Sequence, residues 1–291
     1  MNYSPLRYPG GKSKIAPFVS LVIKKSNIDK CIYIEPFAGG AGVALSLLFD
    51  GVVDNIVIND YDKAIYSMWR AILTQTNEFI ELIINTPLSI DEWKKQKSIY
   101  LNDNSHYSLE LGFATFYLNR TNRSGILSAG PIGGYSQEGK YKIDARFNRD
   151  VLIEKVRKIA KYKTHIKLYN KEIESFIIHY LPKYQNSAFI YFDPPYYNKG
   201  KELYKNFLVH DDHVRISNLI KNIECSWMVT YDDVNEIREL YNEYICKRFD
   251  LAYSLANSGK KTEIMLLCKD KLWPNDEELK TNKIRINIRE V

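Results

Sequence analysis

The stretch that most limits how this chain folds runs from residue 30 to residue 60. "KCIYIEPF" (30–37) is a short apolar run that ends on an acid and a proline, and "NIVIND" (55–60) is a second that ends on an acid. Runs of this length, rich in β-branched and aromatic residues, read as buried strands. Between them "GVALSLLFDG" (42–51) has helical spacing and closes on a glycine, the usual stop for a helix. Two strands joined through one helix lie parallel, because only a crossover of this kind brings the chain back to the same end of a sheet.

The alternation continues after an interruption. "KAIYSMWRAILTQTNEFIELII" (63–84) reads as one helix, and "IKLYN", "AFIYFD", "CSWMVTYDD", "YICKRFDLA" and "TEIMLLCK" as strands, with helical links at 214–223 and 234–242. Strands and helices in turn predict an α/β domain with a largely parallel sheet. Residues 86–165 break the pattern. "SLELGFATFYLNRTNR" is helical at its start, whereas 124–148, "SGILSAGPIGGYSQEGKYKIDARFN", is glycine-rich and polar and is expected to form loops and a short hairpin. Residues 91–170 hold fifteen Lys and Arg against eight Asp and Glu, while the whole chain carries only +6. The segment is thus an insertion expected to work by contact, and its charge suits a polyanion. The boundaries follow: 1–85 and 166–291 as the α/β domain, 86–165 as the insertion.

Several classes are set aside. No apolar run approaches the roughly 20 residues that span a bilayer, and "MNYSPLRYPGGKSK" lacks a signal-type apolar region. The cytoplasm is the expected compartment and no membrane partner is expected. The four cysteines, at 31, 225, 246 and 268, have no CxxC spacing, so reduced thiols are expected and no zinc site. "HDDH" (210–213) reads as a loop end and helix cap, since adjacent residues rarely converge on one ion. No metal is expected.

The turn "EPFAGGAG" (35–42) follows a strand and opens a helix, so its glycines let backbone come close to a ligand. Asp60, at the end of the next strand, is placed to accept the hydroxyls of a ribose. A tight turn alone explains the glycines as well; turn and acid together point to a nucleoside-containing cofactor. Glu35 in the turn repels phosphate and suits a cationic ligand, which favours S-adenosylmethionine over a dinucleotide.

"RYPGGK", "EPFAGGAG", "ND" and "DPPYY", in that order, resemble the Dam-like, D12-class DNA N6-adenine methyltransferases from Tyr3 to about Lys269. The resemblance implies a Rossmann-like, S-adenosylmethionine-dependent methyltransferase fold with an inserted target-recognition segment, acting on double-stranded DNA. It implies that Tyr8, Lys12, Glu35, Phe37, Gly39, Asp60 and Asp193 line the cofactor pocket. Glu172 takes the place of a family aspartate that bonds the cofactor adenine, one carbon longer. Arg7 is either a DNA contact or an ordinary surface arginine. Arg120, Arg123 and Arg146 are expected on the DNA. "LNRTNRSGILSAGPIGGY" diverges from the GATC-specific members after "LNR", so the resemblance leaves the target sequence open. It also implies a monomer or weak dimer, bacterial or phage-encoded, with a cognate restriction endonuclease as a possible partner.

The chemistry can be read from "AFIYFDPPYY" (188–197). An exocyclic adenine amine is a poor nucleophile until both its N–H groups are bound. Asp193 accepts one and the Pro194 carbonyl the other. Pro194 has a fixed φ, Pro195 restricts it further, and Tyr196 offers a face on which an extruded base stacks. A cytosine-N4 methyltransferase would run the same chemistry, though those more often carry Ser-Pro-Pro. RNA or protein amine methylation and a non-catalytic nucleic-acid-binding relative are further alternatives.

Overall fold

A computed structural model of the chain describes residues 3–7, 12–198, 208–251 and 261–291. Eight strands form one sheet: β1 Ile32–Glu35, β2 Asn55–Asn59, β3 Ile166–Tyr169, β4 Ala188–Phe192, β5 Ser226–Asp232, β6 Cys246–Leu251, β7 Lys261–Leu267 and β8 Ile288–Glu290. Their spatial order is β3-β2-β1-β4-β5-β7-β6-β8. The first five run parallel, with Ile34 opposite both Val57 and Ile190. β7 lies antiparallel between β5 and β6, and β8 antiparallel to β6. Direction therefore changes only in the last three strands.

Every residue of β4 is buried, which is why its sequence is continuously apolar: both faces of the sheet are covered. Alternate side chains divide between two cores. Tyr33, Phe189 and Tyr191 enter one, Ile34, Ile190 and Phe192 the other. The first core is built from α1 Ala16–Ser26, α2 Gly42–Phe49, α3 Lys63–Thr74, α4 Thr76–Asn85, α5 Ile90–Asn102, α6 Leu109–Thr121 and α7 Arg149–Lys161. Helical turns across 173–184 and the helices His210–Lys221 and Asn235–Leu240 cover the other face.

The structure departs from expectation in two places. Residues 63–84 are two helices, not one, because the chain bends at Gln75 (φ −130°). The insertion is also less separate than its charge implied. Phe113, Phe116, Tyr117, Phe147, Leu152 and Val156 are buried in the same core as Trp69 and Ile72. Gly112 lies against α3, where an added methyl would stand 2.6 Å from the Ser67 carbonyl oxygen. In place of a hairpin, 122–148 is a chain of turns with one bridge between Asn122 and Pro131. Buried side-chain amides take over the hydrogen bonds that strands would have made. Asn122 accepts from Trp93 Nε1 (2.6 Å) and donates to the carbonyls of Ile126 and Leu127.

The chain leaves β1 toward β2 and β3 on one side and reaches β4 on the other. A crevice therefore opens between the carboxyl ends of β1 and β4, where open α/β sheets bind ligands. Glu35 ends β1 and Asp193 follows β4.

Candidate active site

Asp193 stands in this crevice, partly exposed, with defined neighbours. Thr230 Oγ1 on β5 donates to its Oδ1 at 2.8 Å, and the Tyr191 hydroxyl lies 2.7 Å from Thr230 Oγ1. The Lys12 ammonium lies 3.0 Å from Oδ1 and 3.3 Å from Oδ2. Burial pushes the Asp193 carboxyl up while Lys12 pulls it down, and the net position is above the usual range. The ammonium is itself buried. Burial alone would lower it, yet the carboxylates of Asp193 and Glu263 hold it well above its ordinary value.

Two backbone N–H groups beyond the prolines, those of Tyr197 and Asn198, donate to Asp232 at the end of β5 (2.8 and 3.1 Å). The "DPPYY" segment is thus fixed at both ends. Tyr196 is buried, 6% exposed, and its hydroxyl donates to Glu263 Oε1 at 2.7 Å. Lys12 Nζ lies 5.2 Å from the centre of its ring.

Across the crevice, the Glu35 carboxylate is buried, and Oε1 accepts from Tyr33 OH (3.0 Å) and Ala44 N (2.9 Å). Its Oε2 has no donor among the described residues. Burial raises this carboxyl to about 8, against the two hydrogen bonds that lower it. Asp60 closes the glycine turn: Oδ2 accepts from Gly39 N at 2.8 Å and Oδ1 from Asp62 N at 2.9 Å. Burial and nearby Asp62 raise it to about 7. Gly39 has φ +46°, a conformation suited to glycine, and its carbonyl accepts from Trp69 Nε1 at 2.8 Å. Phe37 is half-buried and packs on the opposite core. Lys12, Glu35, Phe37, Gly39, Asp60, Asp193 and Tyr196 therefore gather at one edge of the sheet, while Tyr8 lies outside the described residues. Glu172 is exposed and caps a helical turn through Ser175 N (3.0 Å).

The predicted DNA contacts divide in two. Arg7, Arg120 and Arg146 cluster: Arg120 Nε donates to the Arg146 carbonyl at 2.8 Å. Burial, then Arg7 and Arg146, lowers the Arg120 guanidinium to about 10. Lys155 adjoins them, lowered by burial and by Arg120. None of these four has a carboxylate partner among the described residues. Arg123 is separate and exposed at the start of the turns. Exposed Tyr135 and Tyr141 lie further along, with Arg146 and Lys140 each 5.8 Å from the Tyr141 ring centre. No group of three or more His, Cys, Asp or Glu side chains among the described residues is placed to hold a metal, and "HDDH" opens the helix His210–Lys221.

Sequence reasoning missed Glu263, Thr230 and Asn119. Asn119 holds the N-terminal segment to the insertion: Oδ1 accepts from Arg7 N (2.7 Å), and Nδ2 donates to the carbonyls of Arg7 and Gly125 (3.0 and 2.9 Å). An acid at the head of the apolar run "TEIMLLC" was the available signal for Glu263.

Fold and site together define a Rossmann-like methyltransferase, with acids from β1, β2 and β4 at the carboxyl edge of a mostly parallel sheet. Residues 8–255 match the model of the D12 class N6 adenine-specific DNA methyltransferases, and the chain belongs to that family. It is 23% identical over 240 residues to the type II methyltransferase M.MjaIII of Methanocaldococcus jannaschii, covering 75% of this chain and 79% of that one. The type II methyltransferase M.CviBI of Paramecium bursaria Chlorella virus NC1A is 25% identical over 234 residues, 77% of this chain and 82% of the relative. M1.LlaDCHI, a type II methyltransferase of Lactococcus lactis subsp. cremoris, is 22% identical over 282 residues, 89% and 93%. Family membership sets aside the cytosine-N4 alternative.

Proposed function

We propose that the chain transfers the methyl group of S-adenosylmethionine to N6 of an adenine extruded from duplex DNA, at a site read by residues 86–165. The observation that carries this is the environment of Asp193. Oδ1 is occupied by Thr230 and Lys12, whereas Oδ2 has only the 3.3 Å contact to Lys12 among the described residues. One oxygen therefore remains to accept an N–H of the adenine amine, and the Pro194 carbonyl takes the second. The lone pair is then turned toward the methyl donor, and catalysis rests on positioning and electrostatics. Pro195 holds the Pro194 backbone, and Tyr196, locked through its hydroxyl, supplies a ring against which the base rests.

The residues around the crevice suit the donor. A bound S-adenosylmethionine supplies an electrophilic methyl on a sulfonium. Glu35, buried with one oxygen unengaged, complements the cationic methionine end. Asp60 accepts from the ribose, Gly39 and Phe37 border the adenosyl part, and Lys12 completes the pocket wall. The cationic group of Arg7, Arg120 and Arg146 faces DNA phosphate, and Arg123, apart from it at the start of the turns, makes a separate contact. The names of the curated relatives support a place in a type II restriction–modification pair with a cognate endonuclease. We further take the protein to act as a monomer or weak dimer in the cytoplasm; no described helix is long and apolar enough to cross a membrane.

Methyl-labelled S-adenosylmethionine incubated with the protein and unmethylated duplex DNA, followed by digestion to nucleosides, is expected to give N6-methyladenine. Label in another base, or none in DNA, overturns the proposal. Asp193→Ala is expected to lose at least about a thousandfold in turnover while binding cofactor within a few-fold of wild type.

A further inference from the structure

We propose that Glu263, a buried acid on β7, is a positioning residue for the methyl transfer: it shares the Lys12 ammonium and so keeps an Asp193 oxygen available to the adenine amine. Lys12 Nζ lies 2.9 Å from Glu263 Oε2 and 3.0 Å from Asp193 Oδ1, so the cation is divided between two carboxylates at equal range. Lys12 and Glu263 side chains are 3% and 2% exposed, against 26% for Asp193. Buried charge is retained only when paired. Among the described residues the group has one cation and two anions, and so one net negative charge. Glu263 neutralises Lys12 from within, and the remaining charge rests on the carboxylate that opens to the crevice.

Without the Glu263 charge, the ammonium has one carboxylate left, and Asp193 becomes half of a closed ion pair. An acceptor engaged in that way is weaker toward a neutral N–H, and the group no longer offers net negative charge to a nitrogen that becomes positive as the methyl arrives. Glu263 reaches the site because β7 is antiparallel: its first residues lie at the edge where β5 ends, with Glu263 opposite Asp232. It also accepts the Tyr196 hydroxyl on Oε1, so one carboxylate fixes both Lys12 and the ring.

This inference rests on Asp193 accepting the amine, and the two fail separately: an active Asp193→Ala overturns the mechanism, whereas the following variants test Glu263. Glu263→Gln keeps an acceptor for Tyr196 and removes only the charge. At saturating DNA it is expected to lower kcat by about tenfold or more, with the KM for S-adenosylmethionine within about threefold of wild type. Lys12→Met with Glu263→Gln restores one net negative charge. This double variant is expected to turn over at least about fivefold faster than the product of the two single losses predicts. Glu263→Gln activity within about twofold of wild type, a KM that rises as kcat falls, or losses that simply multiply would each overturn the proposal.

Discussion

Glu35 shows how a single residue trades stability for binding. Its carboxyl is raised to about 8 by burial, from 4.5 for the free group. The folded state thus holds a proton that the unfolded chain releases between those values, so stability falls as pH rises through that window. Below it the group is protonated in both states and costs nothing. Glu35→Gln keeps an acceptor for Tyr33 OH and Ala44 N and removes the burden. We expect the variant to match wild type near pH 4.5 and to exceed it near pH 8 by on the order of 2–4 kcal/mol, several degrees in Tm. Its affinity for S-adenosylmethionine should fall at least about tenfold. Thermal melts at both pH values and calorimetry check this; a stability difference that is equal at both sinks it. The places of Glu35, Asp60 and Asp193 at the ends of their strands were legible in the sequence, since the apolar runs that carry them stop there. Glu263 was not. Its partners, Lys12 and Tyr196, lie far away in the chain, and nothing local to "TEIMLLC" records the direction in which β7 enters the sheet.

At the level of elements, glycines 125 and 51 make a controlled pair. Both have positive φ, +76° and +68°. A methyl on Gly125 would lie 2.2 Å from the Arg7 carbonyl oxygen, whereas one on Gly51 meets nothing within 4 Å. Gly51→Ala should therefore cost about 1 kcal/mol, the strain of the left-handed backbone alone. Gly125→Ala must also push the N-terminal segment away from Asn119, and should cost about 2–4 kcal/mol and weaken DNA binding more than cofactor binding. Denaturant melts with paired DNA and cofactor titrations read this, and equal costs for the two variants would refute it. The helix that ends just before Gly51 and the main strands were legible because period and punctuation are local signals. The turns of 122–148 were less so. Asn122 and Gln137 replace a hairpin ladder with side-chain bonds, Gln137 Nε2 donating to the Ile132 carbonyl at 2.7 Å and its Oε1 accepting from Ile143 N at 2.9 Å, a choice that composition does not encode.

For the whole molecule, the decisive feature is that charge and core overlap in residues 86–165. Basic composition marked this segment as a surface, yet its helices are part of the main core, so Arg120 is carried into a half-buried place beside two other guanidiniums. A folded protein gains nothing from such a cluster while it is free. Like charges close together, partly withdrawn from water and with no carboxylate partner among the described residues, raise the energy of the native state. On the proposed function, an arriving phosphate would remove that cost, and the cluster would store binding energy for a polyanion. Arg146→Ala separates the two effects, because the backbone carbonyl that Arg120 binds remains. The free variant should be as stable as wild type or more so, by up to about 1 kcal/mol. Its DNA affinity should fall for all sequences alike, with a slope of log Kd against log salt smaller by about one. If affinity fell only for one sequence with the salt slope unchanged, Arg146 would be reading a base edge instead. If the variant were markedly less stable, the cluster would be a structural element of the fold and not a site held ready for DNA.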